Sequence, residues 1–332
     1  MKNYELCYLK EDEFSQWDEF VDNSPQGNIF NKSFWLKAVS DEFKILVCKE
    51  NNDIIGGIAL PSIYGKIYRN AKLTPQMGVL FKNGDSRVKH STMLSNNIEV
   101  MQSIIEQIKD IKYFDYNFSY NLTNYLPFIW ENYKVSVRYT YVIDDLTNLD
   151  AVYSNFQYDS KYLIKKSLKN NVTVSSNYGI KEFYDINKKT FERQKIEMPY
   201  SYEFLEKLDK VLEEKKSRKM FFAVNQEGVI VAAVYLIYDK DCTYYLMGGA
   251  DPQYRNIGVQ TLLIWESIKF AASVSKTFDF EGSMVKNIER AFREFGGKQR
   301  IIYNVYKSDL FTEVVYRIAK NNKNLVRKIF KV

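Results

Sequence analysis

Hydrophobic and polar positions form two similar hairpin-like patterns, one in each half of the chain. The segments FKILVCKENNDIIGGIALPSIYG (43–65) and KMFFAVNQEGVIVAAVYLIYDK (219–240) each read as a short β-rich run, a four-residue polar turn and a longer β-rich run. An ungapped alignment places Gly56 and Gly57 on Ala232 and Ala233. Small residues paired at one depth of a strand indicate that another element packs closely there. The echo predicts two halves of similar architecture.

Helical and strand periods flank both hairpins. The first half is expected to contain helices near 11–23, 33–41 and 91–109, strands near 112–118 and 135–143, and a loop-rich span at 66–90. The second half is expected to contain helices near 150–169, 181–192, 201–215, 257–273 and 285–295, with strands near 242–249, 276–280 and 299–306. Turn residues in 143–156 precede a new helical period, which predicts domains at 1–148 and 149–332. The predicted fold class is α+β, with helices flanking a mixed, mostly antiparallel sheet in each domain.

Composition narrows the class of protein. The chain has 332 residues, of which 45% are hydrophobic and 27% charged, as in soluble globular proteins. No apolar run reaches the length of a membrane span, and the N-terminal stretch lacks the apolar centre of a secretory signal. These features predict a cytoplasmic protein, or one at the inner face of the membrane. The three widely spaced cysteines favour neither a disulfide framework nor a metal site, and the single histidine, His90, is interpreted as a solvated loop residue.

Charge suggests the kind of ligand. The net charge of +6 fits an anionic ligand such as a nucleotide, and it falls short of a surface that coats nucleic acid. The tail, within residues 310–332, carries six basic and no acidic side chains from residue 314 onward, with apolar positions at roughly helical spacing. Such a helix either lies on an anionic membrane surface or packs on its own domain with its lysines in water.

A strand, loop and helix in the second half could bind phosphate. The strand ends at Gly248 and Gly249, the loop carries Arg255 and Gly258, and an apolar helix follows. The unpaired N–H groups and the positive dipole end of such a helix attract anions. On spacing alone, Gly258 is equally well explained as an ordinary turn residue.

The same residues resemble a known family. The run R-N-I-G-V-Q (255–260) is similar to the acyl-CoA loop of GNAT-fold N-acyltransferases, Gln/Arg-x-x-Gly-x-Gly/Ala, with Gln260 as a departure. The stretch GGADPQYRNIGVQTLLIWESIKFA, with FDFEGS and IERAFREFGG after it, resembles the FemAB-like branch of that superfamily, most strongly over 157–306. The resemblance implies two GNAT-like domains in tandem and an acyl-CoA co-substrate. It places the donor on the following residues: Gly248, Gly249, Arg255, Asn256, Gly258, Val259 and Gln260.

In a GNAT fold, two parallel strands separate beside the cofactor loop, and here strands 243–248 and 277–281 would be that pair. Glu281, which replaces a family glycine, or Asp279 could then take the proton of an attacking amine, and Arg293 could stabilise the oxyanion. Asp279 could equally cap the following turn. Arg293 stands where the bridge-forming members of the family have the lysine of a Phe-Lys pair, so the positive charge is kept but the side chain differs.

The resemblance also suggests acceptor contacts and a function. The expected acceptor-side residues are Arg69, Lys72 and Gln76 in the first domain and Lys165, Lys166, Phe292 and Tyr306 in the second, although the two lysines could simply be a solvated helix face. The predicted function is transfer of an acyl group from acyl-CoA to an amine of a small molecule or of a cell-envelope or sugar-nucleotide precursor. The alternatives are an aminoacyl-tRNA-dependent transferase acting on a peptidoglycan precursor, which alone would need a nucleic-acid partner, and an inactive binding protein of the same fold.

Overall fold

Two structural units form, and each is completed by a strand from the other half of the sequence. The structure is a computed structural model that describes residues 4–64, 67–282 and 284–309. One unit contains the residues up to Arg138 and those from Ile302 onward, and the other contains Tyr139–Ile301. The boundary between the units, after Arg138, therefore comes earlier in the sequence than the predicted boundary after residue 148. The reason is that the last residues of the strand Lys134–Ile143 pair within the second unit. The predicted tail helix at 310–332, with its membrane contact, lies outside the described residues.

The first unit contains four helices and six strands of its own among the described residues. The helices are α1 (Phe14–Asn23), α2 (Ser33–Val39), α3 (His90–Gln107) and α4 (Leu126–Trp130), and the strands are β1 (Glu5–Tyr8), β2 (Glu42–Glu50), β3 (Asp53–Tyr64), β4 (Ile67–Arg69), β5 (Val79–Phe81) and β6 (Tyr113–Asn117). Strands β1 to β4 pair antiparallel in order, β5 pairs with β3, and β4 pairs with β6 in parallel.

The second unit contains six helices in its described part. They are α5 (Leu149–Ser154), α6 (Tyr158–Lys169), α7 (Ile180–Gln194), α8 (Tyr202–Glu214), α9 (Val259–Val274) and α10 (Lys286–Arg293). The remaining strands are β7 (Lys134–Ile143), β8 (Thr173–Ser175), β9 (Arg218–Val224), β10 (Ile230–Tyr238), β11 (Cys242–Ala250), β12 (Thr277–Asp279) and β13 (Lys298–Ser308). Strands β8 to β11 pair antiparallel in order, and β11 pairs with β12 in parallel.

The two units repeat one topology. Each has an antiparallel hairpin followed by a parallel strand pair with a helix between its members, α3 between β4 and β6 and α9 between β11 and β12. Each sheet then gains an antiparallel strand: the last residues of β13 pair with β6 in the first unit, and the last residues of β7 pair with β12 in the second. The mixed, mostly antiparallel sheets flanked by helices confirm the predicted fold class.

Both predicted hairpins are present, with turns that their sequences explain. Asn51 and Asn52 both have positive φ, as a tight hairpin turn requires, and asparagine tolerates this conformation. In the second hairpin, the Asn225 side chain accepts two backbone N–H bonds and Gly228 supplies the positive φ. A Cβ at Gly56 would lie 2.6 Å from Val100 of α3, so the small residues do admit a helix.

Two regions differ from the sequence-based expectation. The single helix predicted over 150–169 is two helices, α5 and α6, because the chain turns at Asn155–Gln157, where the Gln157 N–H bonds to the Glu294 carbonyl. The span predicted as loop at 66–90 contains the short strands β4 and β5. Strands of three residues are too short to show a period, so the pattern could not reveal them.

Helix α7 packs directly against Gly249 of β11. A Cβ on Gly249 would come within 2.6 Å of the Asn187 α-carbon and 2.8 Å of the Ile186 carbonyl oxygen, both on α7. The backbone of α7 cannot give way as a side-chain end could, so no larger residue fits without moving the helix. Gly249 was predicted to contact the donor, and in the structure its small size serves helix packing.

Replacing Gly249 with Ala should therefore lower the free energy of unfolding by about 2–3 kcal/mol, as overpacking at a rigid site does. Chemical denaturation monitored by circular dichroism measures this. Gly179→Ala is the matched control, because a Cβ there meets only the end of the Glu182 side chain, at 3.4 Å. A loss at Gly249 no larger than that at Gly179 would contradict the close packing.

Candidate active site

The parallel pairing of β11 and β12 stops early. It covers only Cys242↔Thr277, Thr243↔Phe278 and Tyr244↔Asp279, after which β12 ends and β11 continues to Ala250. β11 also carries a bulge, since Tyr235 and Leu236 of β10 face Met247 and Tyr245, which leaves Leu246 without an opposite residue. A bulge bends and twists its strand. The parallel pairing therefore ends where the two strands were predicted to separate, and the region beside β11 beyond Tyr244 is called the wedge here.

A tyrosine and a glutamine meet at this wedge. The Gln260 side-chain amide donates to the Tyr245 hydroxyl at 2.6 Å, and both groups occupy the space that a Cβ on Gly248 would need. The Gln260 carbonyl oxygen, Oε1, is buried and accepts no hydrogen bond from any described residue. An unpaired buried acceptor costs about 1–3 kcal/mol, and a ligand with an N–H or O–H group could satisfy it.

The start of α9 has backbone N–H groups that are not used inside the described part of the chain. Asp251 caps a short 3-10 turn over Pro252–Ile257, and Gly258 with φ +83° leads into α9. Among the residues that the structure describes, the backbone N–H groups of Val259 and Gln260 form no hydrogen bond. The 16-residue helix adds the positive end of its dipole. These groups fit a phosphate.

Helix α6 lies behind this loop and holds its carbonyl groups. The Lys166 ammonium donates to the Asn256 carbonyl at 2.9 Å, and the Ser167 hydroxyl donates to the Ile257 carbonyl at 2.6 Å. A Cβ on Gly258 would come within 2.6 Å of Leu163 on the same helix. Gly258 is thus required by its positive φ and by α6. Lys166, predicted to contact the acceptor, instead supports the donor loop.

A second arginine, which the sequence analysis missed, joins Arg255. An ion pair between Lys189 and Asp251, at 2.7 Å, connects α7 to this loop. Arg193 follows Lys189 by one helical turn, and Arg255 follows Asp251 by four residues. Desolvation, with the positive charge of Arg255, lowers the pKa of the Arg193 guanidinium. In the described part of the chain neither arginine has an acidic partner. Two neighbouring guanidinium groups without a counter-charge are suited to an anion.

The family comparison agrees with this geometry. Residues 158–284 match a family model described as an acetyltransferase (GNAT) domain. The second unit contains a GNAT domain. This range lies inside the stretch where the sequence resemblance was strongest, and the matched model is one of N-acyltransferase type.

Several solved structures share the fold across almost the whole chain. FemX is similar with a TM-score of 0.68 at 13% identity, covering 91% of this chain and 96% of FemX. The C-terminal DUF2156 domain of a putative lysylphosphatidylglycerol synthetase from Agrobacterium fabrum has a TM-score of 0.59 at 10% identity, covering 93% and 96%. A tandem GNAT protein from the clavulanic acid biosynthesis pathway has a TM-score of 0.53 at 10% identity, covering 91% and 98%. These likenesses confirm the tandem GNAT fold. No curated protein matches the chain in sequence.

The acidic turn of the GNAT domain follows β12 directly. Asp279 is fully buried, and its Oδ1 accepts from the Thr140 hydroxyl and, at 2.8 Å, from the Glu281 N–H. This is the turn-capping role that the sequence left open. Glu281 has a left-handed backbone with φ +61°, and its carboxyl Oε1 is buried without a hydrogen-bond partner among the described residues. Burial, together with the negative charge of Asp279, raises the pKa of Glu281 well above its ordinary value.

Two further predicted residues lie on α10. Phe292 is buried, and its ring centroid lies 5.6 Å from that of Tyr245, which places it at the wedge. Arg293 is exposed, and its Nε donates to Glu289 at 2.8 Å. Glu289 also accepts from the Tyr141 hydroxyl. The structure therefore gives the predicted oxyanion role of Arg293 no support, because its guanidinium is already engaged on the outer face of α10.

The remaining predicted residues are spread over both units. In the first unit Arg69 and Lys72 are exposed, whereas Gln76 is buried in a loop pinned by the bond from Trp35 Nε1 to the Thr74 hydroxyl at 2.9 Å. Tyr306 also belongs to the first unit and packs edge-on against Tyr113. In the second unit Lys165 and Asn256 are exposed, and Val259 is buried.

Asn187 is a buried polar residue that the sequence could have indicated. Its side-chain amide donates to the Gly248 carbonyl at 2.9 Å and accepts from the Tyr200 hydroxyl at 2.7 Å. It follows Phe183 and Ile186 on the apolar face of α7, where a polar side chain needs a partner.

Within the described residues, no three or more His, Cys, Asp or Glu side chains come together as a metal site would require, and no helix has the length and apolarity to cross a membrane.

Replacing Arg193 with Ala should weaken the binding of CoA about three- to tenfold, because one charge of the arginine pair is lost. Isothermal titration calorimetry at two salt concentrations measures this, and the salt dependence of binding should decrease with it. Lys210→Ala removes an exposed positive charge on α8 and should leave binding unchanged. Equal affinities for the Arg193 variant and the native protein would exclude Arg193 from the site.

Proposed function

We propose that this protein is an N-acyltransferase that moves an acyl group from acyl-CoA to an amine. The proposal depends on one observation: β11 and β12 diverge beside the N-terminus of α9, and the buried carboxyl of Glu281 lies two residues beyond their last pair. The wedge gives a thioester a place to lie, the loop and the arginine pair suit its phosphates, and Glu281 supplies a base.

The proposed reaction involves the two substrates and the carboxylate of Glu281. The amine nitrogen attacks the thioester carbonyl carbon, a C–N bond forms, and the amine proton passes to the Glu281 carboxylate. The C–S bond then breaks with its electron pair on sulfur, and Glu281 returns the proton to the thiolate. The products are an amide and free CoA, and Glu281 ends in its starting state.

The surroundings of Glu281 suit a general base. A carboxylate of ordinary pKa is too weak a base to take a proton efficiently near neutral pH, and raising its pKa corrects this. Burial is the main cause here, and the charge of Asp279 adds to it. The Asp279 carboxylate also accepts the Glu281 N–H, so the same side chain fixes the base and tunes it.

The proposed acceptor is an amine on a small molecule or on a cell-envelope or sugar-nucleotide precursor. In the second unit, exposed Lys165 could bind its negative charges. The family resemblance also implies Arg69 and Lys72 of the first unit as acceptor-side residues, and both are exposed. The likeness to FemX keeps aminoacyl-tRNA as the alternative donor. The buried Oε1 of Gln260 does not distinguish the two donors, because acyl-CoA and aminoacyl-tRNA both carry N–H groups that could donate a hydrogen bond to it.

Calorimetry with acetyl-CoA and longer acyl-CoAs, followed by a thiol-release assay with a panel of amines, tests the proposal. Binding at micromolar concentration and amine-dependent release of CoA would support it. Binding of charged tRNA with steep salt dependence, and none of acyl-CoA, would replace the donor. Binding of neither would leave a binding protein of the GNAT fold.

Replacing Glu281 with Gln should lower the rate of acyl transfer about a hundredfold or more, because the base is lost while the shape is kept. The variant should also be more stable than the native protein at pH 8. The folded-state pKa of Glu281 is raised, so its favourable contribution to folding is present at low pH and lost as pH rises through that pKa. Thiol release and melting temperature at pH 8 and pH 5 measure both effects. Glu227→Gln, in the exposed turn of the second hairpin, is the control, and an active Glu281→Gln enzyme would rule out this base.

Replacing Asp279 with Asn should move the acidic limb of the pH–rate profile to lower pH. The amide oxygen can still accept both hydrogen bonds, but the negative charge that raises the pKa of Glu281 is gone. The measurement is kcat/KM against pH. Asp241→Asn removes an exposed carboxylate of the same unit and should not move the limb. A shift to higher pH would contradict the assignment.

A further inference from the structure

Helix α10 carries an apolar stripe that becomes exposed as it leaves the wedge. Val285, Ile288 and Phe292 stand at i, i+3 and i+7, which places them on one side of the helix. Phe292 is 8% exposed, Ile288 42% and Val285 58%. Met284, just before the helix, is 56% exposed. The exposure of the large apolar residues thus rises from the end of α10 toward its start.

The inner end of this stripe belongs to the proposed donor site. The Phe292 ring lies against Tyr245 and, with centroids 5.4 Å apart, against Phe280. Tyr245 is bonded to Gln260 on the donor helix α9, over Gly248. A chain of side-chain contacts therefore connects Gln260 at the N-terminus of α9 with Tyr245 and Phe292. From Phe292 the apolar stripe continues along α10 to the surface.

The outer end of the stripe begins directly after the acidic turn. Met284 and Val285 come three and four residues after Glu281 in the sequence, at the start of α10. Leaving them in water forgoes about 25 cal/mol for each Å² of apolar surface. A ligand that covers the stripe would recover this free energy.

We propose that the acyl group of the donor is an aliphatic chain of medium length that lies along this stripe. The inference rests on the proposed function, because it specifies the acyl group of the same donor. Seven residues of helix span about 10 Å, the length of roughly eight methylene groups, which an acetyl group cannot cover. The donor is the source because the stripe starts at the wedge where the thioester would lie.

The test is calorimetric binding of acetyl-, butyryl-, hexanoyl-, octanoyl- and decanoyl-CoA to the full chain. We expect the affinity to rise about two- to fourfold for each added methylene up to roughly eight carbons, and to level off beyond that length. In the double variant Val285→Ser and Ile288→Ser, the ratio of octanoyl-CoA to acetyl-CoA affinity should fall about tenfold or more. Both side chains are largely exposed, so the variant should fold.

Val229→Ser provides the control, because Val229 is 50% exposed on the second hairpin, far along the chain from the stripe. Its affinity ratio should equal that of the native protein. Equal affinities for all chain lengths, with acetyl-CoA bound, would overturn the inference and leave the proposed donor intact. No binding of any acyl-CoA would count against the proposed function itself. A gain with alkyl chain length in the amine substrate, and not in the thioester, would overturn the donor as the source.

Discussion

The turn that ends β12 is the constraint on which the site depends. Gly282 has a φ of +59°, and a Cβ there would lie 2.0 Å from the Tyr139 carbonyl oxygen, so the chain passes β7 where only glycine fits. Asp279 holds the turn from the other side through Thr140 and the Glu281 N–H. Because β12 turns away at this point, β11 loses its parallel neighbour. The early end of the parallel pairing is thus a consequence of a fixed backbone.

This arrangement is costly for stability. Glu281 adopts a left-handed conformation, which costs a residue with a side chain about 1–2 kcal/mol, and it buries a carboxyl without a partner among the described residues. Gln260 leaves an acceptor unpaired within the same region. Other buried polar groups of the unit are paired, as in the bond from Tyr235 to Asp209 at 2.7 Å. At Glu281, a left-handed backbone and a buried carboxyl oxygen without a hydrogen bond therefore coincide in one residue, a combination typical of functional sites.

The sequence predicted the features that depend on local pattern. Both hairpins, the loop before α9 and the parallel strand pair could be predicted because periodicity, turn residues and a short motif are local signals. The residues that pack against the glycines could not be predicted. Gly258 and Gly249 were predicted to contact the donor, and the structure adds that α6 lies behind the first and α7 against the second. Arg193 was missed for the same reason, since its position next to Arg255 depends on how α7 packs.

The repeat also explains why the proposed donor site lies in only one unit. In the first unit β4 and β6 pair in parallel over three residue pairs, as β11 and β12 do. There, however, the chain after β4 stays bonded to the end of β6, because Asn117 donates its N–H to Asn70 and its amide to the Pro75 carbonyl.

The Met77 N–H then bonds to the Asn117 carbonyl, and the Phe118 ring fills the space beside Gly78. The helix that follows, α3, begins after an extended residue, Lys89, without a left-handed glycine that would turn its N–H groups toward a wedge. The same topology thus gives a continuous seam in the first unit and an early end of the parallel pairing in the second. The difference lies in a few asparagine and aromatic side chains that hold the chain after β4 against the end of β6.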